Sequence, residues 1–175
     1  QAQRRAAGAG ELLLPAHDSN DSIAAIAAMG RDLAHALHHA HRHGVIHRDV
    51  KPRNVLLDDS GKAWLADFGL ALEEGGEPIT RTGVLAGTPH YMSPEQLEVA
   101  GDAVDPRSDV YSLGVVLYEA LTLSHPFEGG SQQAVMQRIA AGRVTPLRQH
   151  DRRIPRDLEL VVLRAMFRRG RSWRV

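Results

Sequence analysis

The sequence predicts an α+β domain that is mainly helical and carries one small β-hairpin. Three stretches predict it. Apolar residues between Asp21 and Gly44 recur at spacings of three and four, as one face of a long helix requires. Two short apolar runs, Val55–Asp58 and Lys62–Ala66, flank the turn-forming Asp59-Ser60-Gly61, which is a hairpin pattern. After Asp105-Pro106 comes a segment apolar on nearly every side, the mark of a helix at the centre of a domain.

With 175 residues the chain is long enough for one domain with a real core. Hydrophobic residues make up 43% and charged residues 24%, a globular rather than disordered balance. Lys+Arg and Asp+Glu are 21 each, so no global charge points to nucleic acid or a membrane surface. Cysteine is absent, which excludes disulfides and thiolate metal sites and fits a reducing compartment. No stretch approaches the about 20 apolar residues of a membrane span. No signal peptide is visible, and the chain does not begin with Met, as a piece of a longer protein would not.

In order, residues 1–10 read as a flexible lead-in and Glu11-Leu12-Leu13-Leu14-Pro15 as an apolar turn. Asp21 or a neighbour caps the first helix. Ile23, Ile26, Ala27, Gly30, Leu33, Ala34, Leu37, Ala40 and His41 form its inner face, and Gly44 stops it. His35, His38, His39, His41 and His43 crowd its end. His35 and His39 have the spacing to share a metal, but no third ligand follows. A histidine-rich, partly exposed helix end is the better reading, favoured by the C-terminal dipole when protonated.

The densest chemistry lies in His47-Arg48-Asp49-Val50-Lys51-Pro52-Arg53-Asn54. Such a loop can hold a carboxylate near a hydroxyl proton, an ammonium near a phosphate and an amide oxygen near a cation, which together make a phosphoryl-transfer set. The hairpin then delivers Asp67-Phe68-Gly69, a carboxylate beside a permissive glycine, thirteen residues after Asn54. Residues 73–87 are polar and glycine-containing, carry Thr80 and Thr82, and read as a functional loop. A rigid stretch, Gly87-Thr88-Pro89-His90-Tyr91-Met92-Ser93-Pro94-Glu95, follows. Asp105-Pro106 opens the central helix, where Asp109 is expected to be buried and hydrogen-bonded, and His125-Pro126-Phe127 ends it. Ser131–Ala141 is a further helix, Leu147–Pro155 a polar link, and Asp157–Arg168 a last helix before a solvated, arginine-rich end.

In this order the motifs closely resemble the protein-kinase family from about Glu11 onward, and the wording is most similar to bacterial Hanks-type serine/threonine kinases. The resemblance implies a kinase C-terminal lobe over residues 11–175, Mg-ATP as phosphoryl source, and protein Ser/Thr hydroxyls as acceptors. Asp49 would accept or orient the hydroxyl proton, and Lys51 would neutralise the γ-phosphate. Asn54 and Asp67 would hold Mg2+, and Leu56 would pack beneath adenine. Thr88 would hydrogen-bond the Asp49–Lys51 pair and shape the substrate site. Arg48 is expected to be a buried arginine awaiting a phosphate on Thr80 or Thr82. His47 and Phe68 would stack in a hydrophobic spine beside Gly69, and Asp109 would brace the catalytic loop. Glu95 would pair with Arg174 or else Arg171, since Gly170-Arg171-Ser172-Trp173-Arg174 departs from the usual Asp-Pro-x-x-Arg ending. Lys51, two residues after Asp49, favours serine/threonine over tyrosine specificity, and the Pro-Glu segment argues against aminoglycoside-type kinases.

The sequence contains neither a glycine-rich phosphate loop ahead of a strand nor a Val-Ala-Ile-Lys-like strand. The expectation is therefore a large lobe with the N-terminal lobe absent, ending before the family's final helix and inactive or very weak alone. A catalytically silent scaffold is the competing reading. The intact Asp49, Lys51, Asn54 and Asp67 favour the kinase, because a scaffold needs none of them. The resemblance further implies a cytoplasmic kinase part, no nucleic-acid partner, and self-association for autophosphorylation.

Overall fold

A computed structural model describes residues 19–68, 89–97 and 105–166. Their order is α1 (Asn20–Arg42), a 3-10 turn (Pro52–Asn54), β1 (Val55–Leu57), β2 (Ala63–Leu65), a second 3-10 turn (Pro89–Tyr91), α2 (Pro94–Leu97), α3 (Pro106–Thr122), α4 (Gln132–Ala141), α5 (Leu147–His150) and α6 (Arg156–Ala165). This is the mainly helical α+β arrangement that the apolar periodicities predict.

α3 is the axis. Asp105 caps its start by accepting from the Arg107 amide at 2.7 Å, and Pro106 occupies the first turn, where a missing N–H costs nothing. Tyr111 through Tyr118, Ala120 and Leu121 are all buried, while Val110 is exposed. α1 and α6 pack on two sides of it. Gly30 of α1 faces Leu117, where an added Cβ would lie 2.9 Å from Cδ2. Gly114 of α3 faces α6, where a Cβ would lie 2.8 Å from Met166 Cγ and 2.9 Å from Ala165 Cβ. Gly114→Ala is expected to cost about 1–2 kcal/mol net in a urea titration, because overpacking outweighs the gain in helix propensity. An unchanged midpoint would show that α6 shifts freely.

α1 buries Ser22, Ile23, Ile26, Met29, Gly30, Leu33, Leu37 and Ala40. Ser19, not Asp21, is its N-cap, and no side chain caps it. Ala34 points outward and Met29 takes a place on the inner face. At the far end Gly44 adopts φ +76°, its amide donates to His41 O and the Val45 amide to Ala40 O. These paired bonds satisfy the last carbonyls of the helix, as a left-handed glycine stop does.

The hairpin is antiparallel, with Val55 opposite Leu65, Leu56 opposite Trp64 and Leu57 opposite Ala63. Asp58 builds its turn. Oδ1 accepts from Ser60 N (2.9 Å), Ser60 Oγ (2.6 Å) and Lys62 N (3.1 Å), and Oδ2 accepts from Trp64 Nε1 (3.0 Å). These donors, Ser60 and Trp64 foremost, hold the Asp58 carboxyl down at about 2.

Three sequence expectations need correction. The central helix stops at Thr122, before His125-Pro126-Phe127, because Leu123 turns left-handed (φ 53°) and Thr122 Oγ1 takes Tyr118 O and Ser124 O as acceptors. The polar link 147–155 contains α5, pinned by fully buried Leu147 and Ile154, with Arg148 Nη1 donating to Ile154 O at 2.8 Å. The last helix spans Arg156–Ala165 rather than starting at Asp157, and its expected end at Arg168 lies outside the described residues. The lead-in 1–10 and the turn at 11–15 also lie outside them.

Candidate active site

The loop between α1 and β1 is hung from α3. Asp109, 1% exposed, accepts the Arg48 amide on Oδ1 at 2.7 Å and the His47 amide on Oδ2 at 2.8 Å. His41 Nε2 donates to the same Oδ2 at 2.7 Å. A buried carboxylate is tolerated only when donors saturate it, and three do so here. Arg48 takes φ +66°, a left-handed conformation that costs a non-glycine residue about 1 kcal/mol or more. The two amides fixed by Asp109 hold it there.

His47 is buried and joins this loop to the segment after the hairpin. Its Nδ1 accepts the Asp49 amide at 3.2 Å, so the proton sits on Nε2, which donates to Ala66 O at 2.9 Å. The Ala66 amide donates in turn to Asn54 O at 2.8 Å. Both polar groups of Ala66 are thereby fixed, and Asp67 begins directly beside Asn54. Asp67 itself takes φ +60° and is exposed. The Phe68 and His47 rings meet tilted, with centroids 4.6 Å apart and planes at 59° rather than stacked in parallel.

Asp49, Lys51 and Asn54 form one cluster. Lys51 Nζ lies 2.7 Å from Asp49 Oδ2, and Asn54 Nδ2 donates to Asp49 O at 2.8 Å and to Oδ2 at 3.1 Å. The cluster is half open, so the Lys51–Asp49 pair contributes little to stability. Its effect is orientation, because Oδ2 is engaged and Oδ1 has no partner among the described residues. Asn54 spends its amide nitrogen inside the loop, and its carbonyl oxygen has no partner among the described residues. The Asp67 carboxylate likewise has no partner among the described residues. An amide oxygen and a carboxylate suit a hard, oxygen-seeking ion such as Mg2+, and the donor set fits it.

Other expected residues fall differently. Leu56 is half-buried on the hairpin opposite Trp64. The Arg48 side chain is exposed, which corrects the expectation of a buried arginine: among the described residues, only its backbone is tied down. Glu95 accepts from Ser108 Oγ at 2.8 Å, while Arg171 and Arg174 lie outside the described residues. So do Gly69, Thr80, Thr82 and Thr88. Of the histidines on α1, His35, His38, His39 and His43 are exposed, and among the described residues no three His, Asp or Glu side chains form a metal site. His41 was the functional residue hidden in that group; its place on the inner-face spacing was the signal. A groove of about 820 Å3 between α1 and β2 is lined by His39, Val45, Trp64, Leu65 and Phe68 among others, and none of the Asp49 cluster borders it.

Pro89–Tyr91 packs along α3, with Ser112 Oγ donating to Tyr91 O at 2.7 Å. His90 and His125 meet edge to face at 4.8 Å, and Tyr91 donates to Glu119 Oε2 at 2.6 Å. The Phe127 amide donates to His125 Nδ1 at 3.1 Å, and the buried Nε2 has no hydrogen-bond partner among the described residues. Burial first, and the neighbouring His90 second, push His125 down to about 4. An unfolded histidine titrates near 6.5, so folding excludes a proton between these values. The His125 contribution is therefore complete above about pH 6.5 and is lost as pH falls toward 4. Urea titrations from pH 7 to 4 should show the parent losing more stability than His125→Asn. Parallel curves would contradict this.

The Protein kinase domain family matches residues 14–166. The chain belongs to the protein kinase family. Among curated kinases it is 42% identical over 157 residues to the DNA damage-responsive serine/threonine-protein kinase RqkA of Deinococcus radiodurans, covering 89% of the chain and 23% of that protein. It is 46% identical over 138 residues to the serine/threonine-protein kinase PknB of Mycolicibacterium smegmatis, covering 77% of the chain and 22% of the relative. With the serine/threonine-protein kinase PknL of Mycobacterium tuberculosis it shares 50% over 118 residues, 67% of the chain and 29% of the relative. The chain thus spans about a quarter of the length of these kinases. Among the described residues no helix is long and apolar enough to cross a membrane.

Proposed function

We propose that this chain supplies the catalytic lobe of a serine/threonine protein kinase that transfers the γ-phosphate of Mg-ATP to protein hydroxyls. The observation that carries the reading is the Asp49–Lys51–Asn54 cluster with Asp67 fixed beside it through the two bonds of Ala66. Asp49 Oδ1 is positioned to accept a hydrogen bond from the acceptor hydroxyl and to take its proton. Lys51 stands beside it as a positive charge for the transferred group. Asn54 Oδ1 and the Asp67 carboxylate would hold Mg2+, which when bound neutralises charge on the phosphates. Leu56 under the adenine, and Thr88 against Asp49 and Lys51, complete the proposed binding surface.

Regulation by phosphate on Thr80 or Thr82 belongs to the same proposal. The exposed Arg48 guanidinium supports it as an accessible partner for such a group. A cytoplasmic kinase part and self-association during autophosphorylation rest on the likeness to bacterial kinases.

The test is incubation of the protein with γ-labelled ATP, Mg2+ and a basic protein acceptor, followed by mapping of the label. Label on serine or threonine, lost on adding EDTA, is the expected result, with Thr80 or Thr82 among the self-labelled sites. Label confined to tyrosine, or none in a protein carrying both lobes of the kinase, would reject the reading.

A further inference from the structure

Gln96 follows Pro94-Glu95 and lies in the first turn of α2. Its Oε1 accepts the Ser93 amide at 2.9 Å and Ser93 Oγ at 3.1 Å. Gln96 thus makes one half of a capping box, the half in which the third helical residue reaches back to the residue before the helix, while its own backbone amide donates to Ser93 O. A glutamate would serve equally well for that purpose. What glutamate cannot do is supply the other end of the side chain: Gln96 Nε2 donates to Arg48 O at 2.9 Å.

That carbonyl belongs to the peptide joining Arg48 to Asp49. Arg48 is the left-handed residue, its amide is held by Asp109, and the next amide donates to His47 Nδ1. Among the described residues, Gln96 is the only side chain bonded to the Arg48 carbonyl. The peptide plane leading into Asp49 is therefore fixed by α3 from below and by α2 from the side.

We propose that Gln96 is a positioning residue: its amide ties the start of α2 to the catalytic loop and sets the orientation of the Arg48–Asp49 peptide. Its effect on turnover rests on the kinase reading; its effect on the loop does not. Because α2 directly follows the Pro89–Tyr91 turn, movement of that segment is transmitted to Asp49 through one side chain.

Gln96→Glu separates the two duties. It retains the acceptor for Ser93 and places an oxygen against the Arg48 carbonyl. Amide hydrogen exchange across residues 47–50 should become about tenfold faster, with α1 and α3 unchanged. In the protein carrying both lobes, kcat should fall about tenfold while the KM for ATP stays within about twofold. Ser93→Ala, which disturbs only the cap, should leave exchange at 47–50 as in the parent. Unchanged exchange in Gln96→Glu, or equal acceleration in Ser93→Ala, overturns the proposal. Faster exchange in Gln96→Glu alone, in a parent that transfers no phosphate, leaves the clamp standing and removes the kinase reading.

Discussion

Asp109→Ala is expected to lower the unfolding free energy by about 3–5 kcal/mol. The substitution leaves the His47 and Arg48 amides and His41 Nε2 without their acceptor, in a place water does not reach. For a domain of this size each kcal/mol moves the melting midpoint by about 2–4 °C, so circular dichroism should record a drop of roughly 6–20 °C. Asp109→Asn should fall between the two, since it keeps one accepting oxygen but turns an N–H toward other N–H donors. A parent-like melt for Asp109→Ala would mean that the loop is held by contacts other than these.

Asp49→Asn is expected to do the opposite: little to the fold, much to the reaction. Asp49 is half exposed and its pairing with Lys51 is solvent-screened, so the melting midpoint should stay within about 2 °C of the parent. Turnover in the protein carrying both lobes should fall by roughly a thousandfold, the usual size of a lost general base. Asparagine preserves shape and a carbonyl for Asn54 but cannot take a proton. Retained turnover would remove Asp49 from the proposed role while leaving the family membership intact.

How far the chain can be read without coordinates depends on how local each cause is. Gly44 as a stop, Asp105-Pro106 as a start and Asp59-Ser60-Gly61 as a turn are visible because cap and turn chemistry lies within a few residues. The burial of Asp109 was also legible, from its place in a helix apolar on nearly all sides. Leu123 was not: leucine has no preference for the left-handed region, and tertiary packing alone puts it there. α5 was missed because its two anchors, Leu147 and Ile154, stand seven positions apart in polar surroundings. The positive φ of Arg48 and Asp67 is likewise invisible, since partners 61 and 19 residues away in sequence impose or accompany it. His41 and Gln96 were legible in principle, one from helical spacing and the other from the Ser93-x-x-Gln96 pattern. Both were obscured by more conspicuous neighbours.

The double fastening of Ala66 has a consequence for how such chains can vary. Asn54 and Asp67 are brought together at the open end of the hairpin, while Asp58–Lys62 forms its exposed tip. Residues added at the tip lengthen a loop at small entropic cost and leave the ladder at Val55 and Leu65 in register. The count of thirteen between the two proposed magnesium ligands is thus an incidental length. What must be inherited is parity along the strands, so that the residue after Leu65 still turns its N–H to Asn54 and its carbonyl to His47.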